Sequence, residues 1–172
     1  MLKNIIPQLF GMIHFLYITF AKSTKMTEAI KKLEQLVKTG TEYILKFSES
    51  ELTFKSTPKK WSKKEIMGHL IDSGINNLQR FTEIQFDNKP YKVKKYNQDE
   101  LVKANDYQNS EIKEVIEFWN SINNRILFLM KKQTENTLNY KIELEEDDIS
   151  DLRFLMNDYV IHIEHHLNQI MK

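Results

Sequence analysis

The chain contains no cysteine, which removes disulfide staples, thiolate metal sites and cysteine nucleophiles together and suits a protein living among reduced thiols, in the cytoplasm. Four glycines and three prolines in 172 residues are too few for Gly-rich phosphate loops or for a β architecture built on short turns, because both need many residues at unusual backbone angles. Charge of one sign is not in excess either: 25 Lys and Arg stand against 24 Asp and Glu, a formal +1. No global field exists to hold a nucleic-acid backbone or an anionic bilayer, so neither is expected as a partner. What is present is apolar mass, 41% of the residues, in a length that fits one ordinary core. Long helices are the architecture that remains.

The one long apolar run lies at the start, Ile5 to Ala21, followed by the polar Lys22-Ser23-Thr24-Lys25 and a second methionine, Met26. Three readings compete. A signal peptide has a run of this length, but here it holds Pro7, Gln8 and His14 and ends in imperfect cleavage triplets. A membrane anchor needs about 20 apolar residues. The third reading, ranked first, takes residues 1–25 as an apolar leader upstream of a true start at Met26, with the folded domain spanning 26–172.

After Met26, apolar residues recur at helical spacing from Thr27 to about Phe47, giving a first amphipathic helix. A polar link holding Pro58 leads to Trp61 and then to Ser62 with Glu65 three residues on, the capping box that opens a second helix running to about Phe86. Asp87-Asn88-Lys89-Pro90 breaks it. Tyr91 to Asn109 is a long polar connection with one helical turn around Glu100 to Ala104. A third helix starts at Asn109 or Ser110, carries Glu111 and Glu114 where the helix dipole favours them, and ends near Thr134. Asn139 to Leu144 alternates weakly as a short extended piece before the acidic Glu145 to Asp148, which reads as a solvated turn. A last helix runs from Ser150 or Asp151 to the C-terminus. Four long helices with a long link between the second and third predict an all-α, up-down four-helix bundle.

Three of the five histidines, His162, His165 and His166, sit in the last helix. His162 and His166 are one turn apart on the face that carries Leu155 and Tyr159, so they point toward the core. An imidazole buried without partners loses its water hydrogen bonds, and a divalent cation about 2.0 to 2.1 Å from two neutral rings would supply a shared reason for both. A third ligand is required, and the second helix offers His69, beside a polar seam of Asp72, Ser73, Asn76 and Arg80. Three nitrogens would leave coordination positions open, the arrangement of a catalytic ion that lowers the pKa of bound water or thiol. Asp72, Tyr159, Glu164, Arg80 and His165 are candidates for orienting groups around such a site. The blander alternative stays open: each histidine as an ordinary core residue, Arg80 as a surface charge, and Trp61, Trp119, Met67, Met130 and Met156 as packing. Convergence of the three rings, with nitrogens about 3 to 4 Å apart, separates the readings.

The run Lys60-Trp61-Ser62-Lys63-Lys64-Glu65-Ile66-Met67-Gly68-His69-Leu70-Ile71-Asp72-Ser73, followed by Arg80, together with Tyr159-Val160-Ile161-His162-Ile163-Glu164-His165-His166-Leu167-Asn168-Gln169-Ile170, resembles the DinB-like superfamily, especially its YfiT-like members. The likeness covers about Ala29 to Met171. It implies a four-helix bundle, often a homodimer, with a nickel- or zinc-type ion on His69, His162 and His166 and water in the open positions. It also implies either metal-dependent hydrolysis or transfer of a low-molecular-weight thiol such as bacillithiol or mycothiol to a small electrophile; a bundle that binds metal or ligand without turnover, as in a stress response, is the alternative. One departure falls on the connecting segment, where the family often has Tyr-Asp followed by a tryptophan and this chain has Tyr96-Asn97 and Leu101. The metal triad transfers through the resemblance; the substrate and the catalytic groups do not.

Overall fold

The structure is a computed structural model and describes residues 26–172; residues 1–25, for which the sequence suggests a leader, lie outside the described residues. Four long helices form the body: α1 over 26–44, α3 (Lys63–Glu83), α5 (Ile112–Lys132) and α7 (Leu152–Ile170). Shorter helices sit in the links: α2 (Glu49–Thr53), α4 (Gln98–Ala104), a 3-10 turn at Tyr107–Asn109, and α6 (Glu135–Leu138). Each long helix buries the apolar face its spacing dictates. Leu33 and Ile44 of α1, Leu70, Ile71 and Phe81 of α3, Trp119 and Ile126 of α5, and Leu155, Ile163 and Leu167 of α7 make one continuous core. The four-helix bundle expected from the sequence is the fold.

The helix starts are fixed by side chains that satisfy free amides. Ser62 Oγ accepts from Glu65 N at 3.1 Å while Glu65 Oε2 accepts from Ser62 N at 2.8 Å, so α3 begins where its capping box places it. Asp151 accepts from Phe154 N at 2.9 Å and opens α7. Asn97 accepts from Glu100 N at 3.3 Å and caps α4. An asparagine caps as well as an aspartate, so the departure at this position keeps the helix start intact.

Helix α3 is central, packing on both α5 and α7. Close approach elsewhere depends on small residues: a Cβ on Gly40 would stand 2.8 Å from Trp119 Cη2, so only glycine lets α1 lie this near α5.

A small three-stranded sheet accompanies the helices, in the order β1 (Tyr91–Lys92), β2 (Lys141–Glu145), β3 (Asp148–Asp151). β2 and β3 form a hairpin with Ile142 opposite Ser150, and β1 runs parallel to β2 with Tyr91 opposite Ile142. The sequence indicates one extended piece here. Its partners are absent from that reading because a two-residue parallel strand shows no alternation, and because β3 is short and shares its end with the start of α7. The acidic segment Glu145 to Asp148 turns the hairpin, with Asp147 at a left-handed φ of 63°. Among the described residues no helix is long and apolar enough to cross a membrane.

Candidate metal centre

His69 lies on α3 and His162 and His166 on α7, and the packing of these two helices brings the three rings into one cluster. Ring centroids are 5.0 Å apart for His69 and His162, 4.6 Å for His69 and His166, and 4.5 Å for His162 and His166. One ligating nitrogen from each lies within 4.8 Å of the other two. His69 Nε2 and His162 Nε2 are 3.0 Å apart. Two nitrogens held about 2.1 Å from one ion lie about 3.0 to 3.4 Å apart at coordination angles of about 90 to 110°, so this pair already has ligand spacing. His166, half-buried, stands beside this pair with a ligating nitrogen within 4.8 Å of both.

The remaining ring nitrogens decide what the cluster can hold. His162 Nδ1 is 3.3 Å from Ser73 Oγ and His166 Nδ1 is 3.1 Å from Gln169 Oε1; a ring whose Nδ1 carries its proton toward such an oxygen offers its Nε2 lone pair to the cluster. His69 is buried and its Nδ1 has no hydrogen-bond partner among the described residues. Burial, reinforced by the neighbouring His162 and His166, pushes the His69 pKa down to about 3. His162 is pushed down to about 4, by burial first and then by His166 and His165. His166 is lowered as well, chiefly by burial. At neutral pH the cluster is therefore three uncharged bases aimed at one point, a donor set that fits a divalent cation. No carboxylate among the described residues hydrogen-bonds to these rings, so an ion held there would keep its full charge.

The other residues singled out by sequence lie around the triad rather than on it. Asp72 is buried and accepts from Tyr107 Oη and Asn105 Nδ2, both at 2.8 Å, while its Oδ2 has no partner among the described residues. Burial raises its pKa, opposed by those two hydrogen bonds. Tyr159 donates to Asn123 Oδ1 of α5 at 2.9 Å and to none of the imidazoles. Glu164 pairs with Lys32 of α1 at 2.5 Å, away from the rings. Arg80 donates to the Lys94 carbonyl and lies 5.5 Å from the Tyr96 ring, fastening the long link to α3. His165 is exposed and accepts from Gln169 Nε2 at 2.8 Å.

Ser73 and Gln169 are the site residues that sequence reasoning leaves without a role. The available signal is spacing: Ser73 is one turn from His69, and Gln169 is three and four residues beyond His166 and His165. Trp61, expected in the core, is half-buried and lies against the His69 ring at 4.8 Å with a 36° tilt. It also lines a cleft of about 580 Å³ with Lys59, Lys60, Ile66, Gln98, Asp99 and Gln169, so two of the cleft's walls, Trp61 and Gln169, are residues in contact with triad rings.

Gly68 completes the setting. A Cβ there would stand 2.0 Å from Tyr107 Cδ2, so the missing side chain is what lets Tyr107 lie across α3 and reach Asp72. The segment that carries the cleft rim is thereby fastened one residue from His69.

Comparison with known proteins bears on the family and the fold. A protein of Halalkalibacterium halodurans, whose name assigns it provisionally to the metal-dependent hydrolases, is 26% identical over 124 residues, covering 72% of this chain and 71% of the relative. Among solved structures, YfiT from Bacillus subtilis, described as a probable metal-dependent hydrolase with an unusual four-helix bundle topology, superposes with a TM-score of 0.76 at 18% identity over 85% of this chain and 83% of its own. A mycothiol-dependent maleylpyruvate isomerase superposes with a TM-score of 0.68 at 8% identity; the match covers 84% of this chain but 60% of the isomerase. At these identities the two structures speak for the fold alone. The family model of the DinB superfamily matches residues 26–170, nearly all of the described chain, and the protein belongs to that superfamily.

Proposed function

We propose that this protein is a metal-dependent enzyme in which His69, His162 and His166 hold one divalent ion, zinc or nickel, and that it acts on a small molecule as a hydrolase or as a transferase of a low-molecular-weight thiol. The observation that carries the reading is the 3.0 Å approach of His69 Nε2 to His162 Nε2 with His166 beside them, three neutral imidazoles each able to offer one nitrogen to a common point. Such an ion, when bound, supplies a Lewis acid that lowers the pKa of a water or thiol toward neutrality.

The chain's own residues do the rest. The three rings present lone pairs because burial keeps them unprotonated. Trp61 covers one face of His69 and screens it from bulk water. The cleft beside it is large enough for a small substrate. With no cysteine in the chain, any thiol taking part must come from a second small molecule, and the cytoplasm, where free thiols stay reduced, is the compartment that suits this chemistry. The relatives' names support both branches, hydrolysis and thiol dependence. A homodimer, as the family resemblance implies, is proposed with it and is read by sedimentation.

Metal analysis tests the proposal. Purified protein incubated with zinc or nickel and desalted should retain about one ion per chain, and His69→Ala and His162→Ala should each lose it. Equal metal content in wild type and both variants refutes the triad. Chelator-sensitive turnover on a panel of activated esters, amides and thiol-plus-electrophile pairs then separates an enzyme from a metal-binding bundle that does not turn over.

A further inference from the structure

Five lysines crowd the ten positions from 55 to 64, around Trp61 and the start of α3. Three of them are engaged in the fold. Lys55 pairs with Glu65 at 2.7 Å, Lys63 donates to the Ile170 carbonyl at the end of α7, and buried Lys64 pairs with Glu49 and donates to the Ser110 carbonyl at 2.9 Å. Lys59 and Lys60 are left over. Both are exposed, and neither ammonium makes a hydrogen bond or an ion pair among the described residues. Local folding gives no reason for them, since they stand just before Ser62, the N-cap of α3, at the end of the helix whose dipole favours anions.

Their place relative to the triad does supply a reason. Both line the cleft that Trp61 and Gln169 border, and both line a second space of about 490 Å³ that shares Lys59, Lys60, Trp61 and Asp99 with it. A molecule in either space lies beside two unpaired ammonium groups. Asp99 is the one acidic residue among the described walls of the first cleft; it sits in the first turn of α4, where the helix dipole accounts for it, and it pairs with neither lysine. A divalent ion on three neutral imidazoles would add two further positive charges that no protein carboxylate offsets.

We propose that the small molecule acted on at the triad is an anion, carrying a carboxylate or another acidic group remote from its reacting atom, and that Lys59 and Lys60 are the residues that select it. The proposal rests on the triad reading and names the charge of its substrate or thiol co-substrate. The chain's net charge is only +1, so the attraction is local to this cleft. Beside the apolar ring of Trp61 it is screened less than in open water. Both side chains are long, flexible point charges, so they select charge more than shape.

The test uses cobalt-loaded full-length protein, in which a thiolate on the ion gives a charge-transfer band whose growth reports affinity. The probes are mercaptopropionate and mercaptohexanoate, each against its own carboxamide, which is close in size and lacks the charge. The quantity read is the ratio of amide to acid dissociation constants at each length. Intrinsic differences between the two thiols are common to every variant, so a change in this ratio reports the protein alone. In wild type the acid should bind more tightly for at least one length, and in the Lys59→Gln, Lys60→Gln double variant that ratio should fall by about fivefold or more. High salt should shrink the wild-type ratio toward that of the variant. Cobalt stoichiometry is measured alongside, and each single variant, expected to show part of the loss, decides the matter if the double variant does not fold. A ratio equal in wild type and the variants, or no thiolate band with either acid, overturns the inference and leaves the triad standing. Wild-type protein that takes up no cobalt overturns the triad and this inference with it.

Discussion

His69 and His162, 93 positions apart in the chain, point their Nε2 atoms at each other across the α3 and α7 interface at 3.0 Å. Neither ring is protonated at neutral pH, and His69 has no other hydrogen-bond partner among the described residues. Two lone pairs in this position repel unless a cation or a shared proton lies between them. That relationship sets the first expectation: a ligand that binds only the folded chain stabilises it, by about 2.7 kcal/mol at one hundred times its dissociation constant. Zinc or nickel should therefore raise the melting temperature of wild-type protein and leave that of His162→Ala unchanged, as read by differential scanning calorimetry.

Acid should weaken the metal-free protein. His69 has a folded pKa of about 3 and His162 of about 4, against an ordinary histidine value of 6.5. Below 6.5 the unfolded chain takes up protons that the folded chain refuses, so stability is full above that pH and falls as pH drops toward the folded values. Asp72, whose pKa is raised by burial, acts with the opposite sign at lower pH, so the clean window is the one just below pH 6.5. Urea midpoints across that window should decline for wild type and decline less for His69→Ala.

Gly68→Ala should be costly out of proportion to one methyl group. The added carbon would meet the Tyr107 ring at 2.0 Å, and the ring could clear it only by giving up its place against α3. Overpacking of this kind costs about 1 to 3 kcal/mol. Denaturant titration measures it, and a midpoint equal to wild type would refute the close packing of Tyr107 on Gly68.

Tyr159→Phe should destabilise by about 1 to 3 kcal/mol, because it leaves the buried Asn123 Oδ1 without its donor. Zinc stoichiometry should stay at that of wild type, since the hydroxyl bonds to α5 and to none of the rings. A loss of metal with little loss of stability would assign Tyr159 to the site after all.

Trp61→Ala should have the converse signature. The ring is half-buried at the cleft and covers His69, so its removal should change stability less than a core tryptophan would while exposing the imidazole to water. Tryptophan emission then isolates Trp119, and quenching by added cobalt should fall relative to wild type because the fluorophore beside the triad is gone.

The four helices were legible because each carries a long apolar stripe with a start signal that obeys local rules, as at Ser62 and Glu65 or at Asp151. The spacing of His162 and His166 and the polar seam after His69 likewise made the triad legible as a hypothesis, since both are properties of single helices. What escaped was everything that depends on which elements meet. The pairing of Tyr91 with Ile142 joins residues far apart in the chain and leaves no periodic trace. Asp72 looks, by spacing, like a partner for His69, yet its donors come from Asn105 and Tyr107 in the long link. Trp61 has the composition of core, and only the placement of the link shows that it walls a cleft.

The Tyr107 contact over Gly68 also separates two kinds of change. Residues such as Gln98 and Asp99 ride on a short helix anchored by Val102 and, downstream, by Asn105 and Tyr107 on Asp72, while the histidines ride on long helices anchored by the whole core. Substitutions in that short helix can thus reshape what enters the cleft without disturbing the imidazoles, so the scaffold permits new substrates to be tried on an unaltered centre.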